Sequence, residues 1–432
     1  MADSIGRRAF LSLGGSAALI AAAGPTLSAV EPRPARRFAA PRAAPDPELF
    51  AAARREFLFP TDVTYCNTGT LGAMPREVLE AQTGELTRLE AELPDWPYYT
   101  QIGAPLTGYQ PREEIRADVG AFIGAEMDEI ALTQNATVSM NFLANGMTYR
   151  PGDEILFTDQ EHGGSFGPFQ LMARRHGAVV REIDLDAAVA GGPEGVLEAF
   201  ADAMTPRTKV LMFSEITSSL GYRLPAKELC ALARERGVFC IVDGAQVVGQ
   251  LPVDVKEMGC DAYVSSPHKW LLAPKGSGIL YIERSRQDEL WATLGSYNFD
   301  NREDGAFRFM QYGTGSPALY TGFRAAMAFN RELGVERIAE WNHAMATQLI
   351  EGLAEIPNTR IHSSTHPEMY GGAITFGLEN KTADELQDAL WEGRIRVRAQ
   401  RNDQRVRLCA HLYVNPDDID RTLDLVRRLE QA

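Results

Sequence analysis

Lys269 is the side chain in this sequence most suited to covalent chemistry. It follows a short apolar run that ends at Ser265, so its amine is expected beyond the carboxyl end of a strand. A lysine amine at such a place can form a Schiff base with an aldehyde cofactor, above all where desolvation lowers its pKa. Taken alone, Lys269 fits an ordinary surface lysine better.

Asp243 ends a second hydrophobic run, which begins at Val238. A carboxylate at this place could keep the nitrogen of a pyridine ring protonated, and the ring would then withdraw electrons. Gln246 follows three residues later and could hydrogen-bond the phenolate oxygen of the same ring. The alternative role for Asp243 is that of a helix N-cap.

A third segment runs from a strand-like stretch into Asn135, Ala136 and Thr137, and then into a helical stretch, Val138–Met147. The free N–H groups at a helix N-terminus bind phosphate, although a plain capping turn has the same pattern. In combination, the three segments supply a phosphate site, a partner for a ring nitrogen and a Schiff-base lysine after successive strands.

The elements that must position these residues alternate between helix and strand from about residue 81, which is typical of a parallel sheet with crossover helices. In such sheets ligands bind at the carboxyl ends of the strands. One amphipathic helix is predicted over Pro225–Arg236, and it is expected to end at Gly237 because glycine commonly terminates helices. The predicted strands are Glu129–Thr133, Glu154–Thr158, Val210–Ser214, Phe239–Asp243, Ala262–Ser265 and Gly278–Ile282.

After Gly315 the pattern changes to that of a separate α+β unit. The segment Thr64–Pro75, far earlier in the chain, is expected to pack with it. The predicted helices are Pro317–Leu333, Val335–Ala354, Asp384–Glu392 and one from Pro416, and the predicted strands are Ala373–Leu378, Ile395–Arg398 and Val406–Ala410.

Composition excludes several classes of protein. The 432 residues carry 43 basic and 58 acidic side chains, a net charge of −15, and no basic run suited to nucleic acid. Six arginines cluster between Arg394 and Arg407, which indicates an anionic substrate at most. The five cysteines are widely spaced and form no Cys-x-x-Cys pair, so neither a disulfide framework nor a zinc site is implied.

The N-terminus has the pattern of a targeting segment. Arg7 and Arg8 precede an uncharged run, Leu11–Ala29, that is rich in Ala, Gly and Leu and too weakly apolar for a stable membrane anchor. This predicts a twin-arginine signal over residues 1–30, a linker over 31–47, export in the folded state by the twin-arginine machinery, and a periplasmic protein. The alternative is an N-terminal helix that happens to carry two arginines.

The order of the three chemical segments resembles the class V aminotransferase family, of pyridoxal 5′-phosphate (PLP) fold type I, and its isopenicillin N epimerase-like subgroup. The resemblance runs from Thr64 to the C-terminus, and its most specific part is Ser266-x-His268-Lys269 followed by Pro274-Lys275-Gly276-Ser277-Gly278. It implies PLP as the cofactor and an α/β fold. The implied large domain (81–315) has a mainly parallel seven-stranded sheet, and an N-terminal segment (48–80) packs with a small α+β domain (316–432).

The resemblance also assigns roles to single residues. His162 would stack on the pyridine ring and transfer protons, and Thr314 would reach the phosphate of a neighbouring subunit, which implies a homodimer. Arg407 would clamp the carboxylate of the substrate, and Asn67 belongs to a loop that lines the entrance. The residues that would bind the cofactor are Lys269, Asp243, Gln246, His162, Ala136, Thr137, Ser266, His268 and Thr314.

These features predict an enzyme that acts on an amino acid or amine, by transamination or by epimerisation. Elimination of a β-substituent, as in a C–S lyase, is an alternative, although the stretch Arg394–Arg405 lacks the nucleophilic cysteine of cysteine desulfurases. Exported relatives of this architecture include an enzyme that tailors the siderophore pyoverdine, so a secreted peptide or siderophore is a further expectation. A non-catalytic PLP-binding protein is the alternative of another class. Nucleotide binding is excluded because the glycines near Lys275 lack the spacing of a phosphate loop.

Overall fold

The computed structural model describes residues 46–95, 112–296 and 299–431. The predicted signal peptide and all but the last two residues of the predicted linker lie outside these ranges. The first helix begins at Pro47, the last residue of that linker, because the Asp46 side chain accepts hydrogen bonds from the N–H groups of Glu48 and Leu49. Within the described ranges, no helix has the length and apolarity needed to cross a membrane.

The elements alternate between strand and helix through the first two thirds of the chain. In chain order they are α1 (Pro47–Arg54), β1 (Thr64–Tyr65), α2 (Arg76–Glu92), α3 (Glu113–Ile123), β2 (Ile130–Thr133), α4 (Ala136–Gly146), β3 (Glu154–Thr158), α5 (Gly163–His176), β4 (Val179–Ile183), α6 (Leu185–Ala190), α7 (Gly192–Ala203), β5 (Thr208–Ser214), α8 (Ala226–Glu235), β6 (Phe239–Asp243), α9 (Val255–Met258), β7 (Ala262–Ser265) and β8 (Gly278–Ile282).

The remaining elements contain two long helices and several short strands. They are α10 (Pro317–Leu333), α11 (Val335–Ala354), β9 (Thr359–Ile361), β10 (Ala373–Leu378), α12 (Ala383–Glu392), β11 (Ile395–Arg396), β12 (Arg398–Gln400), β13 (Arg405–Cys409) and α13 (Pro416–Glu430).

A seven-stranded sheet, in the order β2-β8-β7-β6-β5-β3-β4, forms the centre of the molecule. β8 is antiparallel to both of its neighbours, and all other pairs within the group β7-β6-β5-β3-β4 are parallel. The strands β2, β5, β6 and β7 therefore end at the same edge of the sheet. This confirms the predicted α/β fold with a mainly parallel seven-stranded sheet.

The strands of this sheet are apolar because most of them are covered on both faces. Every residue of β2, β3, β6, β7 and β8 is buried, as parallel sheets between helices require. The helix α8 places Leu229, Cys230 and Ala233 in this core and is followed by Gly237 at a φ of +67°, a conformation that favours glycine.

A second core forms around the four-stranded antiparallel sheet β12-β13-β10-β9. The short strand β1 pairs in parallel with β11, and Phe50 of α1 stacks on Trp341 of α11. The helix α10 contributes to both cores, since Phe323 belongs to the first and Leu333 to the second. The domain divisions drawn from the sequence stay predictions. The helix α10 lies after the predicted boundary at residue 315, yet it packs against α2, which precedes the central sheet in the chain.

Several predicted boundaries are wrong by one or two residues. Glu129 lies in a short 3-10 turn before β2, and β5 begins at Thr208 rather than at Val210. The predicted helices at Val138 and Asp384 begin earlier, at Ala136 and Ala383. The predicted strand Ile395–Arg398 is divided between β11 and β12, because its two halves pair with different sheets, and β13 spans Arg405–Cys409 rather than Val406–Ala410. The edge strand β4 was missed altogether.

Candidate active site

The carboxyl ends of β2, β5, β6 and β7 border a cavity of about 260 Å³. Eight of the residues predicted from sequence line it: Ala136, Thr137, His162, Asp243, Gln246, Ser266, His268 and Lys269. These side chains come from four separate segments, and the sheet edge brings them together. Strand ends at one edge therefore explain how residues more than 130 positions apart form one site.

Lys269 lies on the loop after β7, where a short turn turns its amine into the cavity. Its own N–H donates to the Ser266 carbonyl at 3.0 Å, and Gly72 donates to the His268 carbonyl at 2.8 Å. A Cβ on Gly72 would lie 1.9 Å from the Lys269 carbonyl oxygen, so this contact requires glycine. Desolvation lowers the pKa of Lys269 to about 8, although the charge of Asp243 partly opposes it. A larger share of uncharged, nucleophilic amine follows near neutral pH.

Asp243 is the last residue of β6 and is 3% exposed. Its Oδ1 accepts a hydrogen bond from the Ala245 N–H at 2.8 Å, and its Oδ2 accepts one from the Ser165 hydroxyl. The segment after Asp243 is a turn rather than a helix, so the alternative role of helix N-cap does not apply. Both bonds hold the carboxylate in place at the cavity wall.

The opposite wall is formed by the N-terminus of α4. Asn135 caps this helix through a bond from the Val138 N–H to its Oδ1 at 3.0 Å. The Ala136 N–H donates to the Ser266 hydroxyl at 3.0 Å, which joins α4 to the loop of Lys269. His268 is held at 3.4 Å from the Ser277 carbonyl, and desolvation together with Lys269 lowers its pKa. A helix N-terminus with hydroxyl groups beside it is suited to a phosphate.

His162 is the N-cap of α5, and its Nδ1 accepts a hydrogen bond from the Gly164 N–H at 3.1 Å. An Nδ1 that accepts carries no proton, so the neutral ring has its proton on Nε2. Desolvation, with the charge of Lys269 next, lowers the pKa of His162. The imidazole is therefore uncharged at neutral pH and presents an N–H donor at Nε2.

Gln246 is buried, and its amide is held by neighbours on both sides. Its Oε1 accepts from the Trp270 indole N–H at 2.7 Å, and its Nε2 donates to the Gly69 carbonyl at 3.0 Å. The amide therefore lines the cavity in one orientation.

Arg407, on β13, is 1% exposed and borders a second cavity of about 420 Å³. This second cavity shares His162, Ser218 and Arg398 with the first, so the two adjoin. The guanidinium of Arg407 donates to the Ser218 carbonyl and, at 2.9 Å, to the Thr70 hydroxyl. Its Nε has no hydrogen-bond partner among the described residues.

Two predicted site residues do not line either cavity. Thr314 is exposed, ahead of α10. Asn67 is half-buried with its Oδ1 unpartnered among the described residues, and Gly69 and Thr70 of the same loop line the first cavity in its place. The reason is the direction of the loop, since the carbonyl of Asn67 accepts the N–H of Thr70 in a tight turn.

Sequence reasoning missed the roles of five residues of the site, four of them outside the arginine cluster. Ser165 holds Asp243, and Thr70 and Ser218 hold Arg407. The fourth, Glu161, is a buried carboxylate. It accepts hydrogen bonds from the Thr158 hydroxyl at 2.7 Å, the Ser214 hydroxyl at 2.6 Å and the Ser214 N–H at 3.1 Å. Burial raises the pKa of Glu161 to about 7. The position of Glu161 directly before His162 could have identified it as a residue of the site.

Arg398 was also missed, although it lay within the arginine cluster. It lines both cavities and donates to the Thr70 hydroxyl at 3.2 Å. The spacing of the two strands after Arg394 could have identified it, since an antiparallel hairpin places residues 398 and 407 side by side.

The donor set of the first cavity fits PLP. A helix N-terminus with the hydroxyl of Ser266 suits the phosphate, the Asp243 carboxylate suits the ring nitrogen, and the amine of Lys269 suits the aldehyde.

Comparisons with known proteins agree with this fit. Residues 73–419 match the family described as aminotransferase class-V. An isopenicillin N epimerase from Streptomyces clavuligerus is 32% identical over 396 residues, 87% of this chain and 97% of the relative. A probable cysteine desulfurase from Mycolicibacterium paratuberculosis is 30% identical over 342 residues, 74% of this chain and 49% of that protein.

Solved structures show the same fold. The cystine C-S lyase C-DES, in complex with its product cysteine persulfide, superimposes with a TM-score of 0.76 at 26% identity, over 85% of this chain and 98% of that one. Fold and cavity together define a PLP enzyme of fold type I. The chain belongs to the class V aminotransferase family, and PLP is its cofactor.

Proposed function

We propose that this protein exchanges the proton on the α-carbon of an amino acid and inverts that centre, as an epimerase does. The observation that carries the proposal is that Lys269 and His162 line one cavity, each with a pKa lowered by desolvation. Inversion needs two groups that exchange protons, and an amine and an imidazole fill both roles. The similarity to isopenicillin N epimerase over nearly its whole length supports the same reaction.

When bound, PLP supplies an aldehyde that captures the amine of the substrate and a ring that withdraws electrons from the α-carbon. The chain does the rest. Lys269 Nζ accepts the proton on one side, and His162 gives one from Nε2 on the other while its Nδ1 takes one up from solvent, so the ring stays neutral; the reverse direction runs the same steps backwards. Asp243 keeps a negative charge at the ring nitrogen, and the Arg407 guanidinium holds the substrate carboxylate.

The test is incubation of the purified protein with single amino acids in deuterated water. We expect loss of the α-proton signal by NMR together with the opposite enantiomer by chiral chromatography. His162→Gln should slow inversion by about 10²–10⁴-fold, the usual contribution of a general acid or base. Lys227→Ala, on the exposed surface, serves as the control. If a keto acid forms and the remaining amino acid keeps its configuration, the protein is an aminotransferase and the proposal fails.

A C–S lyase is the second candidate, and the similarity to C-DES at 26% identity favours it. Elimination from cystine breaks its Cβ–S bond and would release cysteine persulfide, a keto acid and ammonia, which the same incubations, run with cystine, detect. Sulfur transfer to a protein thiol has less support, because no cysteine of the described ranges lines the first cavity and Cys409 packs in a buried cluster with Trp270 and Ala373.

We propose a homodimer in which Thr314 reaches the cofactor phosphate of the neighbouring subunit. Its support is the exposure of Thr314 on a segment that leads into α10, away from the cavity of its own chain. Sedimentation analysis should give a species of twice the chain mass, and Thr314→Val should weaken PLP binding without changing that mass. A monomer with full PLP affinity would contradict both parts.

We also propose export to the periplasm, which rests on Arg7 and Arg8 ahead of an uncharged run. In that compartment a secreted peptide or siderophore is an accessible substrate. Replacing both arginines by lysine should leave the protein in the cytoplasmic fraction, and unchanged fractionation would contradict the proposal.

A further inference from the structure

The arginine cluster near the C-terminus divides into two groups. Four of its members have partners. Arg394 pairs with Asp62 at 3.0 Å, Arg401 with Asp384 at 2.8 Å, and Arg405 with Asp403 at 2.9 Å, and Arg396 lies 3.7 Å from the centre of the Trp391 ring. Arg398 and Arg407 form no ion pair with any described residue.

These two arginines are partners in the antiparallel pairing of β12 with β13, so their side chains lie on the same face. Both donate to one acceptor, the Thr70 hydroxyl, at 3.2 Å from Arg398 and 2.9 Å from Arg407. Like charges directly opposite each other across two strands are unfavourable. Desolvation, followed by the charge of Arg407, lowers the pKa of Arg398.

The charges around the pair do not neutralise it. Glu161 and Asp403 border the second cavity, but Glu161 is bonded to Thr158 and Ser214, and Asp403 is paired with Arg405. A buried guanidinium without a carboxylate is costly, so an anion is needed at Arg407, which is 1% exposed. Arg398 is exposed where the two cavities adjoin, and one monocarboxylate at Arg407 leaves its guanidinium without an anionic partner among the described residues.

We infer that the substrate carries a second carboxylate, which Arg398 binds, besides the α-carboxylate that Arg407 binds. Arg398 borders both cavities, so the distal group extends from the first cavity of about 260 Å³ toward the second of about 420 Å³. The substrate is thus an acidic amino acid, or the acidic amino-acid end of a larger molecule. This inference rests on the proposed function for the position of the α-carboxylate.

The first test compares glutamate with glutamine, which has nearly the same shape and lacks the distal charge. Titration of the holoenzyme, followed by the absorbance of the cofactor, should give a dissociation constant for glutamate about 10- to 100-fold below that for glutamine, as hydrogen bonds to a charged group predict. Arg398→Gln should remove this difference, because it weakens glutamate binding far more than glutamine binding. Arg394→Gln, at the arginine that pairs with Asp62 and lines neither cavity, should keep it. Equal affinities in the unaltered protein would overturn the inference.

The second test needs no reaction with the cofactor. Glutarate has two carboxylates and no amine, and butyrate has one carboxylate. Glutarate should raise the melting temperature of the holoenzyme more than butyrate does, and Arg398→Gln should abolish the difference. If no amino acid changes the cofactor spectrum but glutarate still stabilises through Arg398, the proposed function fails and the anion site stands. If glutarate stabilises the variant equally, the inference fails whatever the reaction.

Discussion

The Ser266 hydroxyl accepts a hydrogen bond from the Ala136 N–H at 3.0 Å. The two residues are 130 positions apart, and the bond joins the N-terminus of α4 to the loop that carries Lys269. The phosphate site and the reactive amine therefore belong to one bonded unit, and a change at one is expected to alter the other.

Ser266→Ala should weaken PLP binding by about 10-fold, because both a donor to the phosphate and the bond to α4 are lost. Equilibrium dialysis of the cofactor measures this directly. The matched control is Ser285→Ala, an exposed serine whose hydroxyl bonds to Glu283 and which lines neither cavity. An unchanged affinity in Ser266→Ala would remove the hydroxyl from the phosphate site.

Gly164 provides a sharper steric test. A Cβ at this position would lie 2.2 Å from the Thr137 hydroxyl, whereas a Cβ at Gly167 has no atom within 4 Å. We expect Gly164→Ala to displace Thr137 and raise the dissociation constant for PLP, and Gly167→Ala to leave it unchanged. Both lie in α5, where alanine favours helix, and the melting temperature of each variant separates a change in stability from a change in cofactor affinity. Equal cofactor affinities would show that Thr137 is not needed.

The rate at which cofactor-free protein captures PLP should depend on pH through Lys269. Only the uncharged amine reacts, so the rate should rise with pH and reach half its plateau near pH 8, the lowered pKa of this lysine. The charge of Asp243 raises that pKa, so Asp243→Asn should move the midpoint to lower pH. Stopped-flow absorbance follows the reaction. A midpoint near 10, as for an ordinary lysine, would contradict the desolvated site.

His411 should make stability depend on pH. It is fully buried beside Trp270, and desolvation lowers its pKa to about 3, from an ordinary value of 6.5. The unfolded chain then binds more protons between these values, so stability is lost as pH falls from about 6.5 toward 3, by at most about 1.4 kcal/mol per pH unit.

The free energy of unfolding of His411→Asn, measured in urea at several pH values in this range, should change less with pH than that of the unaltered protein. His366→Gln, at an exposed histidine, should behave like the unaltered protein. If the free energy of unfolding of His411→Asn changes with pH as much as that of the unaltered protein, another group causes the pH dependence.

Much of the central sheet follows from sequence because its strands are buried on both faces. The strands β3, β6, β7 and β8 begin and end where the predicted apolar runs do. Both faces of these strands are buried, so every position favours an apolar side chain and the run marks the whole strand. β4 was missed for the opposite reason. It is an edge strand that exposes Val179 and carries Arg181 and Glu182, so its apolar pattern is interrupted.

The site divides in the same way. Lys269 and Asp243 follow buried strands, and their positions could be predicted from where those strands end. Thr70 lies on the loop of Asn67, which was expected at the entrance, but its bonds to Arg398 and Arg407 and the position of Ser218 depend on tertiary packing that no local pattern indicates. The role of Arg398 depends on the register of β12 against β13, which is set by side-chain packing across the pair rather than by either strand alone.

The central claim is the covalent bond between PLP and Lys269, and borohydride reduction of the holoenzyme followed by peptide mass spectrometry tests it most directly. We expect the phosphopyridoxyl mass on the peptide that contains Lys269, and loss of both label and visible absorbance in Lys269→Ala, with Lys227→Ala unchanged. A label on another lysine, or a labelled and coloured Lys269→Ala protein, would contradict the account.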